Sequence, residues 1–269
     1  MRQYLVNILF LLGAGFGYAQ TVDFIPASHF AGGVSVAQNG EWQHFYNPAL
    51  LATCERSTIS ATYERRFAMK ELSVQALSVA MPTSFLNVGA SVSHFGYSVY
   101  SEVLAGISFA RTFDRYLTIG LQFDYYSASF SSSEGHKGVV VTHVGLLSEL
   151  TSDLTLGFCV FNPTCQRLVY RDILKKIPTL FSLGMQYVFS DTFQWLCQVD
   201  KVLGSAFVGR VGFEYQLASA VSVCVGGYGA PFVPTLGCGV KRGGFRFDVG
   251  FERHRVLGVT SVGVLRYVF

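Results

Sequence analysis

The sequence predicts an all-β protein: a transmembrane antiparallel β-barrel of about fourteen strands with a short N-terminal plug or hatch segment. Three observations predict this class. The 269-residue chain is 50% hydrophobic and only 14% charged, yet no apolar run reaches the ~20 residues that a membrane helix needs. Many segments alternate apolar and polar residues. Short connections between these segments alternate with longer ones.

The composition excludes several other classes. Disorder requires low hydrophobicity and high charge, and a soluble domain carries ~25% charged residues. The net charge of +3 is too small, and too scattered, to predict nucleic-acid binding. The six cysteines form no C-x-x-C pair, so no zinc site is predicted.

The N-terminus reads as a secretory signal peptide. Arg2 is followed by an apolar stretch from Tyr4 to Phe16 and by the small-residue cleavage site Gly17-Tyr18-Ala19. The alternative, a first membrane helix, is disfavoured because the run is short and ends in small residues. We therefore predict a signal peptide at 1–19, a plug or hatch segment at 20–56, a barrel at 57–269 and a location in the cell outer membrane.

After residue 56 the chain divides into segments of the ~9–11 residues that a tilted transmembrane strand needs. Because segment boundaries are imprecise, a count of twelve strands is the alternative. The segments are 57–67, 72–81, 85–95, 101–111, 116–128, 138–149, 153–161, 179–189, 193–201, 206–216, 220–228, 234–241, 244–253 and 259–269.

Period-two alternation is clearest in segment 244–253. Phe245, Phe247 and Phe251 point to one side, whereas Arg246 and Asp248 point to the other. A soluble sandwich also alternates, but its outer face carries Lys and Glu, and here the polar face is mostly Gly, Ser and Gln. Segments 72–81 and 138–149 alternate weakly, so their facing is not predicted.

The connections give an independent argument. Every second connection is short, as at 190–192, 217–219 and 242–243, and the longest of the others is 162–178. Outer-membrane barrels have short periplasmic turns and longer outer loops, and an even strand count returns the C-terminus to the periplasm.

The segment before the barrel predicts a short helix. Pro48 suits the first turn of a helix, Asn47 is a good N-cap, and Ala49–Ala52 would form the helix itself.

A small-residue segment, then Asn47-Pro48-Ala49, then the fourteen-strand pattern resembles the FadL-like superfamily of outer-membrane barrels. Within it, the chain is most similar to the PorV/PorQ-type proteins of Bacteroidetes. Further matching pieces are Tyr63-Glu64-Arg65-Arg66-Phe67 with Lys70-Glu71-Leu72, Phe95-Gly96-Tyr97-Ser98-Val99-Tyr100, Phe161-Asn162-Pro163-Thr164 and Ile177-Pro178-Thr179.

The resemblance implies a role for the N-terminal segment and two activities. In the FadL-like relatives the N-terminal segment folds into the barrel as a hatch. The resemblance therefore implies that Asn47, Pro48 and Ala49 belong to such a hatch. Those relatives pass hydrophobic molecules through a lateral opening in the wall. The PorV-type relatives instead anchor components of type IX secretion. A barrel with a side-chain-sealed lumen and a purely structural or interaction role is the alternative.

The C-terminal strand ends with an aromatic residue, and Leu265, Tyr267 and Phe269 share one face. This resembles the C-terminal signal of bacterial outer-membrane proteins that the barrel-assembly machinery reads. The alternative is an ordinary edge strand.

Charged residues at inward positions are predicted to pair inside a narrow lumen, because an unpaired buried charge is costly. Arg246 and Arg266 should lie close together with Asp248 between them. The network either stiffens the barrel or lines a path for a ligand or ion. Its members are Glu64, Arg66, Asp124, Asp200, Arg210, Glu214, Arg246, Asp248, Glu252 and Arg266.

Loop 162–178 interleaves apolar residues with Arg167, Arg171, Lys175 and Lys176. It predicts a short amphipathic helix whose basic face meets lipopolysaccharide phosphates or a partner protein, and a solvated loop is the alternative.

No enzyme, cofactor or metal site is predicted. The scattered histidines form no HExxH spacing and no G-x-S-x-G is present, although a barrel can bring a distant serine and histidine together. Cys159 and Cys165 flank a proline turn and are a candidate disulfide, whereas Cys197 and Cys238 are expected to face lipid. The predicted partners are outer-membrane lipid and lipopolysaccharide, the assembly machinery, and either secretion proteins or a small hydrophobic ligand.

Overall fold

The computed structural model describes residues 30–38, 45–114, 116–130, 137–170 and 173–269. The predicted signal peptide at 1–19 lies outside the described residues, as do the first part of the predicted plug, 20–29, its portion 39–44, and Arg171.

Fourteen antiparallel strands form one closed barrel in which each strand pairs with the next barrel strand along the chain, and the first pairs with the last. The predicted class and strand count are confirmed, and the alternative count of twelve is wrong. The barrel strands are β1 (Thr58–Arg65), β2 (Ser73–Met81), β3 (Asn87–Gly96), β4 (Tyr100–Asp114), β5 (Leu117–Phe130), β6 (Lys137–Glu149), β7 (Leu154–Phe161), β10 (Leu180–Ser190), β11 (Phe193–Val202), β12 (Phe207–Ala218), β13 (Val221–Tyr228), β14 (Val233–Arg242), β15 (Phe245–His254) and β16 (Gly258–Val268).

Three short 3-10 helices complete the described structure: Ala31–Gly33, Pro48–Thr53 and Arg66–Ala68. The predicted helix at 49–52 is therefore present, one residue longer at each end. No helix within the described ranges is long and apolar enough to cross a membrane.

The two ends of the barrel differ. At the short-turn end, β10 joins β11 through residues 191–192 and β14 joins β15 through residues 243–244. β1 begins and β16 finishes at this same end, where the Phe269 amide donates to the Ser57 carbonyl at 2.9 Å. The opposite, long-loop end carries residues 162–179.

The outer face of the barrel is apolar. Leu77 on β2, Phe123 on β5 and Phe247 on β15 are all about half exposed. On β2 and β6, whose patterns were too weak to interpret, Ala76 and Val141 point inward. The alternation places one face of each strand outside and the other in the lumen. An apolar surface that encircles the barrel suits contact with lipid rather than water.

The expected helix in loop 162–178 is wrong. β8 (Arg167–Tyr170) and β9 (Ile173–Lys176) instead form a two-stranded hairpin at the long-loop end. Leu168 is buried and Val169 is exposed, which is the period-two pattern of a strand. Isolated helices of this length are marginal in water, and pairing two short β-rich segments satisfies the backbone more readily.

The cysteines are free, and the candidate pair Cys159–Cys165 is wrong. The buried Cys159 thiol faces the lumen and donates to the Tyr46 carbonyl at 3.1 Å. Cys165 is exposed in the turn after β7, with a positive φ of 52°. Cys197 and Cys238 lie on the outer face as expected.

Candidate functional site

Residues 30–38 and 45–56, which we call the lumen segment, lie inside the barrel against its wall. Residues Ala31, Val34, Ala49 and Asn47 of this segment have no solvent exposure. The segment contacts β12 and β13 at its start and β4, β5 and β6 near Pro48–Thr53. Its described residues therefore follow the inner wall from β12 and β13 to β4.

Inward-facing glycines form the track on which the lumen segment lies. Four glycine pairs face each other directly across neighbouring strands along this path. They are Gly120 with Gly145, Gly157 with Gly184, Gly212 with Gly226, and Gly237 with Gly250.

At the first three pairs at least one glycine contacts the backbone of the lumen segment too closely to leave room for a side chain, whereas Gly237 and Gly250 contact the Phe30 ring. A Cβ added to Gly212 would lie 1.9 Å from the Ala31 carbonyl oxygen, and one added to Gly120 would lie 2.2 Å from the Ala49 nitrogen. At Gly157 the Val36 carbonyl oxygen is 2.3 Å away. The glycines thus let two backbones approach at a distance that any other residue would prevent.

Polar side chains of the wall bond the backbone of the lumen segment. Gln198 Oε1 accepts from the amides of Ser35 and Val36 at 3.0 and 3.2 Å. Thr235 Oγ1 accepts from the Gly32 amide at 2.8 Å. Asn87 Nδ2 donates to the carbonyls of Leu51 and Cys54, both at 2.9 Å.

Asn47 organises the second half of the lumen segment. Its Oδ1 accepts from the Ala49 amide at 3.0 Å, which is the N-cap geometry expected from the Asn-Pro pair. Its Nδ2 donates to the Val36 carbonyl at 2.7 Å and to the Leu146 carbonyl of β6 at 3.2 Å. One buried amide therefore ties both halves of the segment to the wall.

The lumen segment separates two groups of charges. Toward the short-turn end, Arg246 Nε donates to Asp248 at 2.9 Å, and Arg266 lies 3.6 Å from the same carboxylate. Arg246 also lies 3.7 Å from Glu214, which accepts from Gln38 Nε2 of the lumen segment at 2.8 Å.

Toward the long-loop end the charges are also paired. Arg210 donates to Asp200 at 2.5 Å and lies over the Tyr228 ring, while the Tyr228 hydroxyl donates to Glu252 at 2.7 Å. Arg66 donates to the fully buried Glu64 at 2.6 Å. These side chains brace β11–β16 and β1 from within.

Asp124 departs from the predicted pairing. It is 1% exposed on β5, and its Oδ1 accepts from Gln122 Nε2 at 2.7 Å. Its Oδ2 has no hydrogen-bond partner, and no base in the described ranges lies within ion-pair distance of it. The pairing expectation failed here because the neighbouring inward positions of β4 and β6 carry Gly106 and Val141 rather than a base.

The long-loop half of the lumen on the β4–β7 side is apolar. Leu104, Tyr126, Val141 and Phe161 form the layer that faces inward there, and Leu168 and Ile177 of the hairpin region pack onto the same cluster. We call these six residues the apolar layer. The hairpin therefore closes the lumen on this side.

An ion pair between a partly exposed lysine and a buried glutamate holds the hairpin in place. Lys175 of β9 bonds Glu102 and the Tyr100 hydroxyl, and the Tyr126 hydroxyl donates to Glu102 at 2.7 Å. Asn162 shapes the base of the hairpin by accepting from the Gln166 amide at 2.8 Å and donating to the Ile177 carbonyl at 2.9 Å.

A cavity of about 580 Å³ lies at the short-turn end, below the lumen segment. Thr53 and Arg56 of the segment line it together with Thr112, Thr118, Arg246 and Arg266 of the wall. Its lining is mainly polar, in contrast to the apolar layer at the opposite end.

The structure thus places all ten predicted lumen charges on the inner side and brings most of them into pairs. The three residues of the predicted C-terminal signal lie elsewhere, at the short-turn end: Leu265 and Phe269 are exposed, and the Tyr267 ring packs 4.5 Å from Phe245 and 4.9 Å from Phe269. The sequence reasoning missed Glu102 with Lys175, and it missed Ser108, Gln122 and His143. The inward position of each was a possible signal, but their grouping depends on strand register.

No protein-family model matches this sequence, and no curated protein matches it. Solved structures do match. A structure of the Pseudomonas putida toluene transporter TodX is 11% identical over 91% of this chain and 99% of that chain, with a TM-score of 0.67. A Pseudomonas aeruginosa FadL homologue is 13% identical over 95% of this chain and 100% of that chain, with a TM-score of 0.64. A further match is the TodX deltaS2S3 mutant monoaromatic hydrocarbon channel, with 12% identity and a TM-score of 0.66.

The molecule is a closed fourteen-stranded antiparallel barrel with the lumen segment inside it. It shares the fold of the TodX structures and of the FadL homologue over nearly the whole described chain. At these identities the similarity concerns the fold.

Proposed function

We propose that this protein is an outer-membrane barrel that passes small hydrophobic molecules, with the lumen segment acting as a hatch. The observation that carries the proposal is the arrangement of the lumen. An apolar layer lies toward the long-loop end, a polar cavity lies at the short-turn end, and the lumen segment separates them. The similarity in fold to a toluene transporter and to a FadL homologue supports the same function.

The proposed location follows from the same features. The apolar outer face sits in the outer membrane, the short-turn end faces the periplasm and the long-loop end faces outward, where lipopolysaccharide surrounds it. Residues 1–19 direct export and are removed. Leu265, Tyr267 and Phe269 present the apolar and aromatic face that the barrel-assembly machinery binds.

In the proposed route, a molecule meets the apolar layer after the β8–β9 hairpin lifts. Movement of the lumen segment then opens the route to the cavity at the short-turn end. The segment is held to the wall by one or two hydrogen bonds from each of several side chains, such as Gln198, Thr235 and Asn87, rather than by a continuous strand ladder. The lumen segment can therefore move away from the wall without disrupting the hydrogen bonds between the barrel strands.

Uptake measurements test this function. The chain is expressed in a host whose outer membrane carries lipopolysaccharide, and initial uptake of labelled toluene is compared with that of host cells lacking the chain. We expect uptake to be several-fold faster with the chain present. Equal rates, with folded barrel verified in the outer membrane, would remove the proposal.

A second candidate is the PorV-type role, in which the barrel anchors proteins of type IX secretion and its lumen stays closed. The closely paired charges on β11–β16 and the fastened hairpin rigidify the lumen, which fits the closed lumen of this role. Capture of the tagged chain from detergent-solubilised outer membranes, followed by mass spectrometry, separates the two roles. Stoichiometric recovery of secretion components without uptake activity would favour anchoring.

A further inference from the structure

Four buried polar side chains on β4, β5 and β6 carry atoms with unmet hydrogen-bonding capacity. They are Ser108, Gln122, Asp124 and His143, and none is more than 2% exposed. Ser108 Oγ, Gln122 Oε1 and Asp124 Oδ2 lack a hydrogen-bond partner, and the only partner of the His143 imidazole within the described residues is the Tyr46 backbone. Buried polar groups are nearly always paired, so a group of this size at one place requires an explanation.

These side chains form one cluster, which we call the acceptor cluster. Ser108 faces Gln122 across β4 and β5, and Gln122 faces His143 across β5 and β6. Directly opposed residues on one face have Cβ atoms ~4.5–5.5 Å apart. Asp124 follows on the same face of β5 and is linked to Gln122 by the 2.7 Å hydrogen bond. Gly106 opposite Asp124 leaves room for the carboxylate, since a Cβ there would lie 2.0 Å from Asp124 Oδ1.

The acceptor cluster lies between the lumen segment and the apolar layer. Toward the short-turn end, the next inward positions of β5 and β6 are Gly120 and Gly145, which contact Pro48 and Ala49. Toward the long-loop end, the inward residues are Leu104, Tyr126 and Val141. A molecule of the proposed route therefore meets apolar side chains first and this polar group next.

The acceptor cluster favours ligands that donate hydrogen bonds. Asp124 Oδ2 and Gln122 Oε1 are acceptors, a serine hydroxyl donates or accepts, and a neutral imidazole offers one of each. The Gln122 amide already donates to Asp124. A negatively charged ligand would face the Asp124 carboxylate, and no base in the described ranges lies within ion-pair distance of that carboxylate to offset the repulsion.

We propose that the acceptor cluster binds the hydroxyl or amine head of a small apolar molecule, while the apolar layer contacts its hydrocarbon part. This inference rests on the proposed function and narrows its substrate class to donor-bearing apolar molecules, with carboxylates excluded. Discrimination arises because a buried polar site that is left unpaired penalises the analogue lacking the matching group.

Binding of three probes with one common ring tests the proposal: p-cresol, toluene and p-toluate, titrated calorimetrically into the purified full-length protein in detergent. We expect p-cresol to bind ~10-fold or more tightly than toluene, and p-toluate not to bind measurably. Asp124→Asn should lower p-cresol affinity by ~10-fold and admit p-toluate, because the negative charge is gone while the shape is kept.

The matched control is Asp191→Asn, which removes an exposed carboxylate from the turn between β10 and β11 and should leave all three affinities unchanged. Ser108→Ala is the second variant should Asp124→Asn not fold, with an expected loss of ~3-fold for p-cresol only. Equal affinity of p-cresol and toluene, or an unchanged probe preference in both variants, would overturn the inference. So would crystals soaked in p-cresol that hold only water at the four side chains.

The outcome is separable from that of the proposed function. If toluene is taken up but the variants do not change the probe preference, the proposed channel function is supported and the inferred substrate class is wrong. Asp124-dependent binding of p-cresol without uptake of any probe leaves the binding site standing and removes passage.

Discussion

The two walls of the lumen differ in how they hold a buried aspartate. On the wall formed by β11–β16, which we call the paired wall, Asp200 bonds Arg210, and Asp248 bonds Arg246. On the wall formed by β4–β6, which we call the acceptor wall, Glu102 is paired with Lys175 at the long-loop end, but Asp124 bonds only Gln122. The aspartates of the paired wall follow the rule for buried charge, whereas Asp124 of the acceptor wall departs from it. Departures of this kind concentrate at functional sites, because a structural role gives no reason to retain them.

The largest expected loss of stability follows from breaking an ion pair of the paired wall. Arg210→Met removes the guanidinium and leaves the Asp200 carboxylate buried with only the Gln198 amide, at 2.7 Å, as its donor. Loss of one member of a buried pair costs ~3–5 kcal/mol. Urea unfolding of the barrel in phospholipid vesicles, followed by intrinsic tryptophan fluorescence, measures this loss of stability. A loss below ~1 kcal/mol would show that the pair contributes no more than an exposed one.

A smaller effect is expected where the lumen segment meets the paired wall. Gly212→Ala places a methyl group 1.9 Å from the Ala31 carbonyl oxygen, so the segment must shift. Overpacking of this kind costs ~1–3 kcal/mol, and the segment should become more sensitive to added protease. Gly263→Ala is the matched control, because its Cβ meets only Phe247 at 4.0 Å. Equal stability and equal protease sensitivity of the two variants would contradict the close contact between Gly212 and the lumen segment.

The next effect concerns the contact of the segment with the acceptor wall. Asn47→Ala removes the cap of the Pro48–Thr53 helix and both Nδ2 hydrogen bonds, at a cost of ~1–2 kcal/mol. Asn47→Asp keeps the Oδ1 acceptor and should recover part of that loss. Urea unfolding in vesicles measures the stability of both variants. Equal stability of Asn47→Ala and the unsubstituted chain would contradict the capping role.

The smallest effect on stability is expected at Asp124. Asp124→Asn removes a buried carboxylate that no base offsets and keeps the acceptor for Gln122, so stability should be unchanged or rise by up to ~1 kcal/mol. This variant and Arg210→Met together sharpen the comparison of the two walls. A loss at Asp124 as large as that at Arg210 would show that Asp124 is a structural residue, and the difference between the walls would vanish.

Much of the fold was predictable because the barrel imposes a period of two. Phe245, Phe247 and Asp248 reveal their faces in the sequence alone, since lipid requires apolar groups on one side. A helix was predicted where the hairpin at 167–176 forms, because four-residue strands are too short to show a period of two. The burial of Leu168 also depends on a cluster that is distant in the sequence.

The site was less predictable because it depends on register. Gly212 and Gly226 lie far enough apart in the sequence to look unrelated, and only strand pairing reveals that they face each other beneath Ala31. Ser108, Gln122 and His143 likewise become one cluster only across three strands. The Asn47-Pro48 pair was readable because its capping geometry is local.

The central claim is that the lumen segment must leave the wall for a molecule to pass. A Cβ added to Gly184 would lie 3.3 Å from the Val36 Cβ, near the ~3.8 Å mean of disulfides. The double variant Val36→Cys with Gly184→Cys therefore locks the segment to β10 on oxidation, and each single variant is its control. We predict that the oxidised double variant loses toluene uptake and that reduction restores it. Undiminished uptake, with the disulfide verified by mass spectrometry, would contradict the account.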